Sequence, residues 1–167
     1  YIRQVTGLTT ELDKVSEGLF SLVTNGGDEY CGYAIKTATD QLKWSARESD
    51  IKVIFIAGNE HFSQGPIAYQ EAIKAAVEKN IVVNTIHAGN YDVGVKEGWS
   101  TAAQLAAGEY MFIEHNHKVA HVDAPQDDRI AELNKELNAT YIPYGAKGME
   151  SRQRQQKQDR INAQVSK

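Results

Sequence analysis

The stretch IKVIFIAGNEHFSQGP, residues 51–66, sets an apolar run against an abrupt polar stop at Gly58, Asn59, Glu60 and His61. From Ile51 to Ala57 only Lys52 is polar and β-branched residues dominate, so the run reads as a strand covered on both faces, the pattern of a central parallel strand. Open α/β sheets bind ligands beyond the carboxyl ends of their strands, which makes the polar stop a candidate binding edge.

Working outward, Pro66 suits the first turn of a helix whose core face is Ile67, Ala72, Ile73, Ala76 and Val77, ending at Asn80. IVVNTIHAG (81–89) is a second buried strand. A shorter pair follows: Ser100 caps STAAQLAAG, Gly108 ends it, and EYMFIE (109–114) resumes extended structure. Upstream, Thr9 or Thr10 caps a helix carrying Leu12, Val15, Leu19 and Leu22 as far as Thr24. A second helix starts near Asp28 and Glu29, turns Cys31, Ala34, Ile35, Ala38 and Leu42 inward, and stops between Trp44 and Ser49. Strands alternating with helices call for right-handed βαβ units and a mainly parallel, doubly wound α/β sheet flanked by helices. Downstream, a helix capped near Asp123 presents Ile130, Leu133 and Leu137 as a stripe able to cover the sheet; TYIPYGAKG breaks it, and residues 149–167 read as a polar helical tail or linker. Trp44, Tyr141 and Tyr144 are expected to pack the C-terminal helix on the domain, the alternative being part of a contact surface.

The 167 residues carry a net charge of −4, too little positive charge for a nucleic-acid groove or a polybasic anchor, and no apolar run reaches the length of a membrane span. The one cysteine, Cys31, excludes an internal disulfide and is expected to face the core as a small apolar residue.

VIFIAGNE (53–60), VEKNIVVNTIHAG (77–89) and GWSTAAQLAAGEYMFIE (98–114) resemble, in that order, the second half of a von Willebrand factor type A (vWA) domain. YIRQVTGLTTELDKVSEGLF, TNGGDEYCG, IFIAGNEHFSQGP, VNTIHAG and LNATYIPYG look like a bacterial subfamily of such proteins, so the likeness runs from Tyr1 to about Gly148. It implies a Rossmann-like fold, a protein-binding or adhesion role, a cell-envelope or secreted location, and a divalent cation, Mg2+ or Ca2+, at the strand tips. The Asp-x-Ser-x-Ser segment that supplies three ligands in this family is absent from these residues, and three parallel strands stand where the family has about six. Residues 1–148 are therefore expected to be the C-terminal major part of a vWA-like domain.

The resemblance assigns oxygen ligands to two loops. In TNGGDEYCG, where the family has a metal-contacting threonine loop, Asp28 is the first candidate and Glu29 the second; the alternative is that both acids only favour a helix N-terminus. In AGNE, Gly58 stands where the family has its ligand aspartate, leaving Asn59 and Glu60 as shifted donors. Asn25, Gly58, His61 and His87 complete the expected partner-binding edge, formed by loops 24–30, 57–65 and 88–98, to which a partner carboxylate would add the last ligand.

Three further patterns carry chemistry. His61 and His87 follow neighbouring strands and are expected near one edge, as a transition-metal or acid–base pair or as separate loop histidines. HNHKVAH holds His115, His117 and His121 but lacks the spacing of a zinc-binding helix. Asn138-Ala139-Thr140 matches a glycosylation sequon. The leading expectation is a non-catalytic interaction domain. A hydrolase using Glu60, His61 and His87, and a structural scaffold with a degenerate ion site, are the alternatives.

Overall fold

The computed structural model describes residues 2–23, 26–114 and 124–165, and within the last helix the side chains as far as Arg160. The chain forms two compact bodies, one of residues 1–8 and 24–118, the other of residues 9–23 and 119–167.

The first body is a three-stranded parallel sheet of order β1-β2-β3, with β1 Lys52–Gly58, β2 Ile81–His87 and β3 Tyr110–Phe112. Its helices are α2 Cys31–Gln41, α3 Tyr69–Glu78, α4 Tyr91–Lys96 and α5 Trp99–Leu105 (α1 belongs to the second body). It is an α/β, Rossmann-like sheet flanked by helices. Register pairs Ile54 with Val83, Ile56 with Thr85 and Thr85 with Tyr110, so one face carries Ile54, Ile56, Ile81, Val83 and Tyr110. Against that face pack Cys31 and Ile35 of α2, Ala72, Ile73 and Ala76 of α3, and Trp99 and Ala102 of α5. Phe62 and Trp99 meet edge to face with ring centroids 4.8 Å apart at the middle of this core.

β1 departs from the expected fully covered strand. It lies at the edge of the sheet, and Phe55 on its second face is 63% exposed. The continuous apolar run fits both arrangements, because composition alone does not tell a covered face from a bare one.

Local chemistry moves several helix ends. α2 starts at Cys31 rather than at Asp28 or Glu29, because Glu29 turns its carboxylate to the tip of β1 instead of to the helix. It ends at Gln41, where Leu42 is already extended; Trp44 then folds back on the core, its indole N–H donating to Ala38 C=O at 2.9 Å. Pro66 precedes α3 rather than entering it, and Val77 is exposed. Gly98, left-handed at φ 94°, takes the N-cap of α5, which places Ser100 inside that helix. Gly108 lies so close to Val83 C=O that a side chain there would meet backbone.

The second body contains α1 Leu12–Phe20, α6 Asp127–Thr140 and α7 Gly145–Val165. Thr9 Oγ1 accepts the Glu11 N–H at 3.1 Å, one residue before the helix rather than as its cap. Its contacts are polar: Arg154 pairs with Glu11, Lys157 with Glu17, and Gln158 donates to Ser16 Oγ. Asn138, the sequon residue, donates to Asp159 Oδ2 at 2.8 Å and accepts from Gln155. The apolar stripe of Ile130, Leu133 and Leu137 is exposed rather than covering anything, as are Tyr141 and Tyr144, the latter at 94%. Thr24, Asn25, His115, His117, His121 and Asp123 lie outside the described residues.

Candidate functional site

The carboxyl end of β1 is closed by a side chain from a distant loop. Glu29 Oε2 accepts the backbone N–H of Asn59 at 2.7 Å and of Glu60 at 3.1 Å, the two donors left unpaired where the strand stops. Charge-assisted bonds to a carboxylate are stronger than neutral ones, so one oxygen fixes the turn that the polar stop begins. Glu29 is itself held, its own N–H donating to Gln64 Oε1 at 2.9 Å.

Gly58 makes this closure sterically feasible. A Cβ on Gly58 would overlap Glu29 Oε2 and stand 2.9 Å from Trp99 Cη2. The space a side chain at residue 58 would fill is thus occupied by a carboxylate delivered from residue 29.

Further hydrogen bonds join the other loops to this tip. Ala88 N–H donates to Gly58 C=O at 2.7 Å, extending the β1–β2 ladder past the strand ends. Trp99 Nε1–H donates to Glu60 C=O at 2.9 Å, and Phe62 N–H donates to Glu97 C=O at 3.0 Å. Segments 26–30, 58–65 and 88–98 therefore form one connected rim.

His87 ends β2 beneath the third of these segments and is buried. A carbonyl only accepts, so its Nδ1–H donates to Asn90 C=O at 3.1 Å, which turns Nε2 toward Glu97 Oε2 at 3.5 Å. Gly94 lies against the ring, where any side chain would overlap it. Asn90 also caps α4, its Oδ1 accepting from Asp92 and Val93.

His61 is exposed and has separate partners: Ser63 Oγ–H donates to its Nδ1 at 2.8 Å. The two histidines share a rim but no hydrogen-bond partner. Asp28 is exposed and accepts from Tyr30 Oη at 3.4 Å, while Asn59 Nδ2 reaches Glu60 Oε1 at 3.5 Å.

No protein-family model, curated protein or solved structure matches this chain.

Among the described residues no three or more His, Cys, Asp or Glu side chains converge on one point, and Glu29 Oε2 is committed to two backbone donors. Cys31, just inside α2, is buried; desolvation, helped by the nearby Glu29 charge, pushes its thiol up from 9.0 to about 12, which makes it a core residue rather than a nucleophile.

Sequence reasoning passed over Glu97, Asn90, Trp99, Ser63 and Gln64. Asn90 had a local signal, an N-cap residue followed two positions later by an acid. Glu97, Trp99 and Gln64 act through contacts with residues far along the chain, for which the sequence holds no local sign.

Proposed function

We propose that the first body is a non-catalytic protein-interaction domain that presents the rim of segments 26–30, 58–65 and 88–98 to a protein partner. The single observation behind this reading is the Glu29 carboxylate clasping the Asn59 and Glu60 amides, which pre-organises two of the three loops before any partner arrives. That rim exposes carboxylates at Asp28 and Glu60, an amide at Asn59 and an imidazole at His61, beside the apolar side chains of Tyr91, Val93 and Val95. In this reading the resemblance to vWA domains supplies the role, and the rim replaces the ion-bridged contact with direct hydrogen bonds. No helix of the described residues is long and apolar enough to cross a membrane.

The experiment is binding measured by calorimetry between the purified protein and a partner recovered from its own cells, with magnesium, manganese and calcium each added or withheld. Asn59→Ala and Glu60→Ala are expected to weaken binding at least about tenfold without changing stability, and the divalent ions to change it little. Equal affinity for both variants sinks the rim; an affinity that requires the ion restores the metal-bridged form.

A second reading, hydrolysis, is favoured by one contact, the Ser63 hydroxyl donating to His61 Nδ1. It places a nucleophile and a base within hydrogen-bond reach. Turnover of simple esters that disappears in both Ser63→Ala and His61→Ala would carry it over the first reading.

A further inference from the structure

One imidazole reaches both ends of α4. His87 Nδ1–H is given to the carbonyl of the N-cap residue Asn90, and Nε2 faces the carboxylate of the C-cap residue Glu97. The His87 side chain is 2% exposed and that of Glu97 29%, yet Glu97 Oε2 itself is buried and accepts no hydrogen bond among the described residues. Buried polar atoms are ordinarily paired, so an acceptor left without a donor calls for an explanation.

The explanation lies in the second ring nitrogen. With the Nδ1 proton committed to a carbonyl, a neutral imidazole has only a lone pair at Nε2, and a lone pair facing a carboxylate is two acceptors with no donor between them. One more proton turns that repulsion into a charge-assisted hydrogen bond and serves both atoms at once. Protons at such a site belong to the pair rather than to either residue. When the proton leaves, Glu97, being partly exposed, has a path for its carboxylate to water; His87 has none.

Neighbouring elements bring few titratable groups to the ring. Trp99 of α5 stands with its ring centroid 5.7 Å away, and Gly89 and Gly94 lie against the imidazole where side chains would overlap it. β3 brings Tyr110, whose hydroxyl sits beside Gly94 and donates to Tyr91 C=O at 2.9 Å; burial first, then the charges of Tyr91, Asp92 and Glu97, push its phenol up, so it stays neutral. β1 brings Gly58, level with His87, and the Glu29 carboxylate beside it is taken by the Asn59 and Glu60 amides. Within α4, Tyr91, Asp92 and Lys96 are exposed. The carboxylate that faces Nε2 is that of Glu97.

We propose that His87 and Glu97 hold one proton between them and so form a pH-dependent clasp on α4. With the proton in place, both ends of α4 are tied to the end of β2; without it, Glu97 turns to solvent and segment 88–98 loosens from its far end. Histidine changes charge between about pH 5 and 8, so the clasp is closed at the acid end of that range and opens toward the alkaline end. Because the partner is gained only on folding, the stability it contributes follows the same course, present at low pH and lost as the pH rises. Glu97 C=O also accepts the Phe62 N–H, which carries the loosening to segment 58–65. The clasp concerns how α4 is held and stands whether or not the rim receives a protein.

The test follows amide exchange in the whole chain at about pH 5.5 and about pH 8, each rate taken relative to an unstructured peptide at the same pH. The amides read are those of Gly94 and Glu97, which donate to Asn90 and Val93 C=O. Their protection is expected to fall at least about fivefold from the lower pH to the higher, with Ile54 and Ile56 unchanged. Glu97→Gln, whose amide can donate to a neutral Nε2, is expected to keep the protection and remove its pH dependence. NMR shifts of the imidazole nitrogens give a reading that needs no variant: both nitrogens protonated at the lower pH, and Nε2 alone losing its proton by the higher one. Equal wild-type protection at the two pH values overturns the proposal, as does an equal fall in Glu97→Gln or an Nε2 without a proton at the lower pH.

Discussion

Glu29 and Gly58 occupy complementary space: the carboxylate of one lies where the side chain of the other would stand. This pairing links a loop before α2 to the end of β1 across 29 residues of sequence, and it sets the geometry of the whole rim.

Gly58→Ala is expected to destabilise the protein by about 1–3 kcal/mol, because the new methyl meets both Glu29 and the buried Trp99 ring. Glu29→Ala alone leaves the Asn59 and Glu60 donors to solvent, at roughly 1–2 kcal/mol. Combined, the two are expected to cost less than their sum, since the first clash is partly removed with the second side chain. Urea midpoints at constant m measure this; strict additivity would mean that the two residues do not share the site.

Trp99→Phe keeps an aromatic ring in the core but removes the donor to Glu60 C=O. An expected loss of about 1–2 kcal/mol combines that bond with the smaller ring. Amide exchange at Phe62 and Ser63 should quicken along with it, whereas exchange in β2 should not.

The Cys31 thiol gives a pH signature. In the folded protein it stays neutral to about pH 12, while in the unfolded chain it ionises above 9.0, so through that window the unfolded state holds fewer protons. Stability attributable to Cys31 is fully present below pH 9.0 and falls as the pH rises, by at most about 1.4 kcal/mol per pH unit. The difference in unfolding free energy between wild type and Cys31→Ala, followed from pH 8 to 11, is expected to narrow. A thiol reagent at pH 8 should label the folded protein far more slowly than the denatured one.

The second body should respond in the opposite direction. A hydrogen bond from Arg154 holds the Glu11 carboxyl below its ordinary value of 4.5, and one from Lys157 does the same for Glu17. A carboxylate lowered on folding adds stability above its unfolded pKa that is lost as the pH falls below it. Exchange protection in α1 is therefore expected to decline below pH 4.5 and in high salt, and Glu11→Gln with Glu17→Gln to flatten the pH response.

The sequence made the alternation of strands and helices readable because VIFIA and IVVNTIH are short β-branched, largely apolar runs with abrupt polar or glycine stops, while the alanine-rich stretch between Gly98 and Gly108 reads as a helix. It placed Asn59, Glu60 and His87 at one end of the sheet, since parallel strands finish on the same side; Glu29 was brought to that end only by the family resemblance. Two things were not readable. The bare second face of β1 was hidden because an apolar residue looks alike whether covered or not. Glu29 read either as an ion ligand or as an acid favouring a helix terminus, and only the distance from its oxygen to the Asn59 amide shows that it closes the strand tip. The stripes on α1 and α6 followed helical spacing faithfully, yet periodicity does not say what a stripe faces.

The most direct measurement is amide hydrogen exchange at Asn59 and Glu60 in wild type and in Glu29→Gln, which keeps the side chain's size but not its charge. Both amides are expected to be protected in wild type and to exchange at least about tenfold faster in the variant, with Ile54 and Ile56 unchanged as the reference. Wild-type amides at residues 59 and 60 that exchange as fast as those of an unstructured peptide would contradict the closure of the strand tip by Glu29, and with it the pre-formed rim.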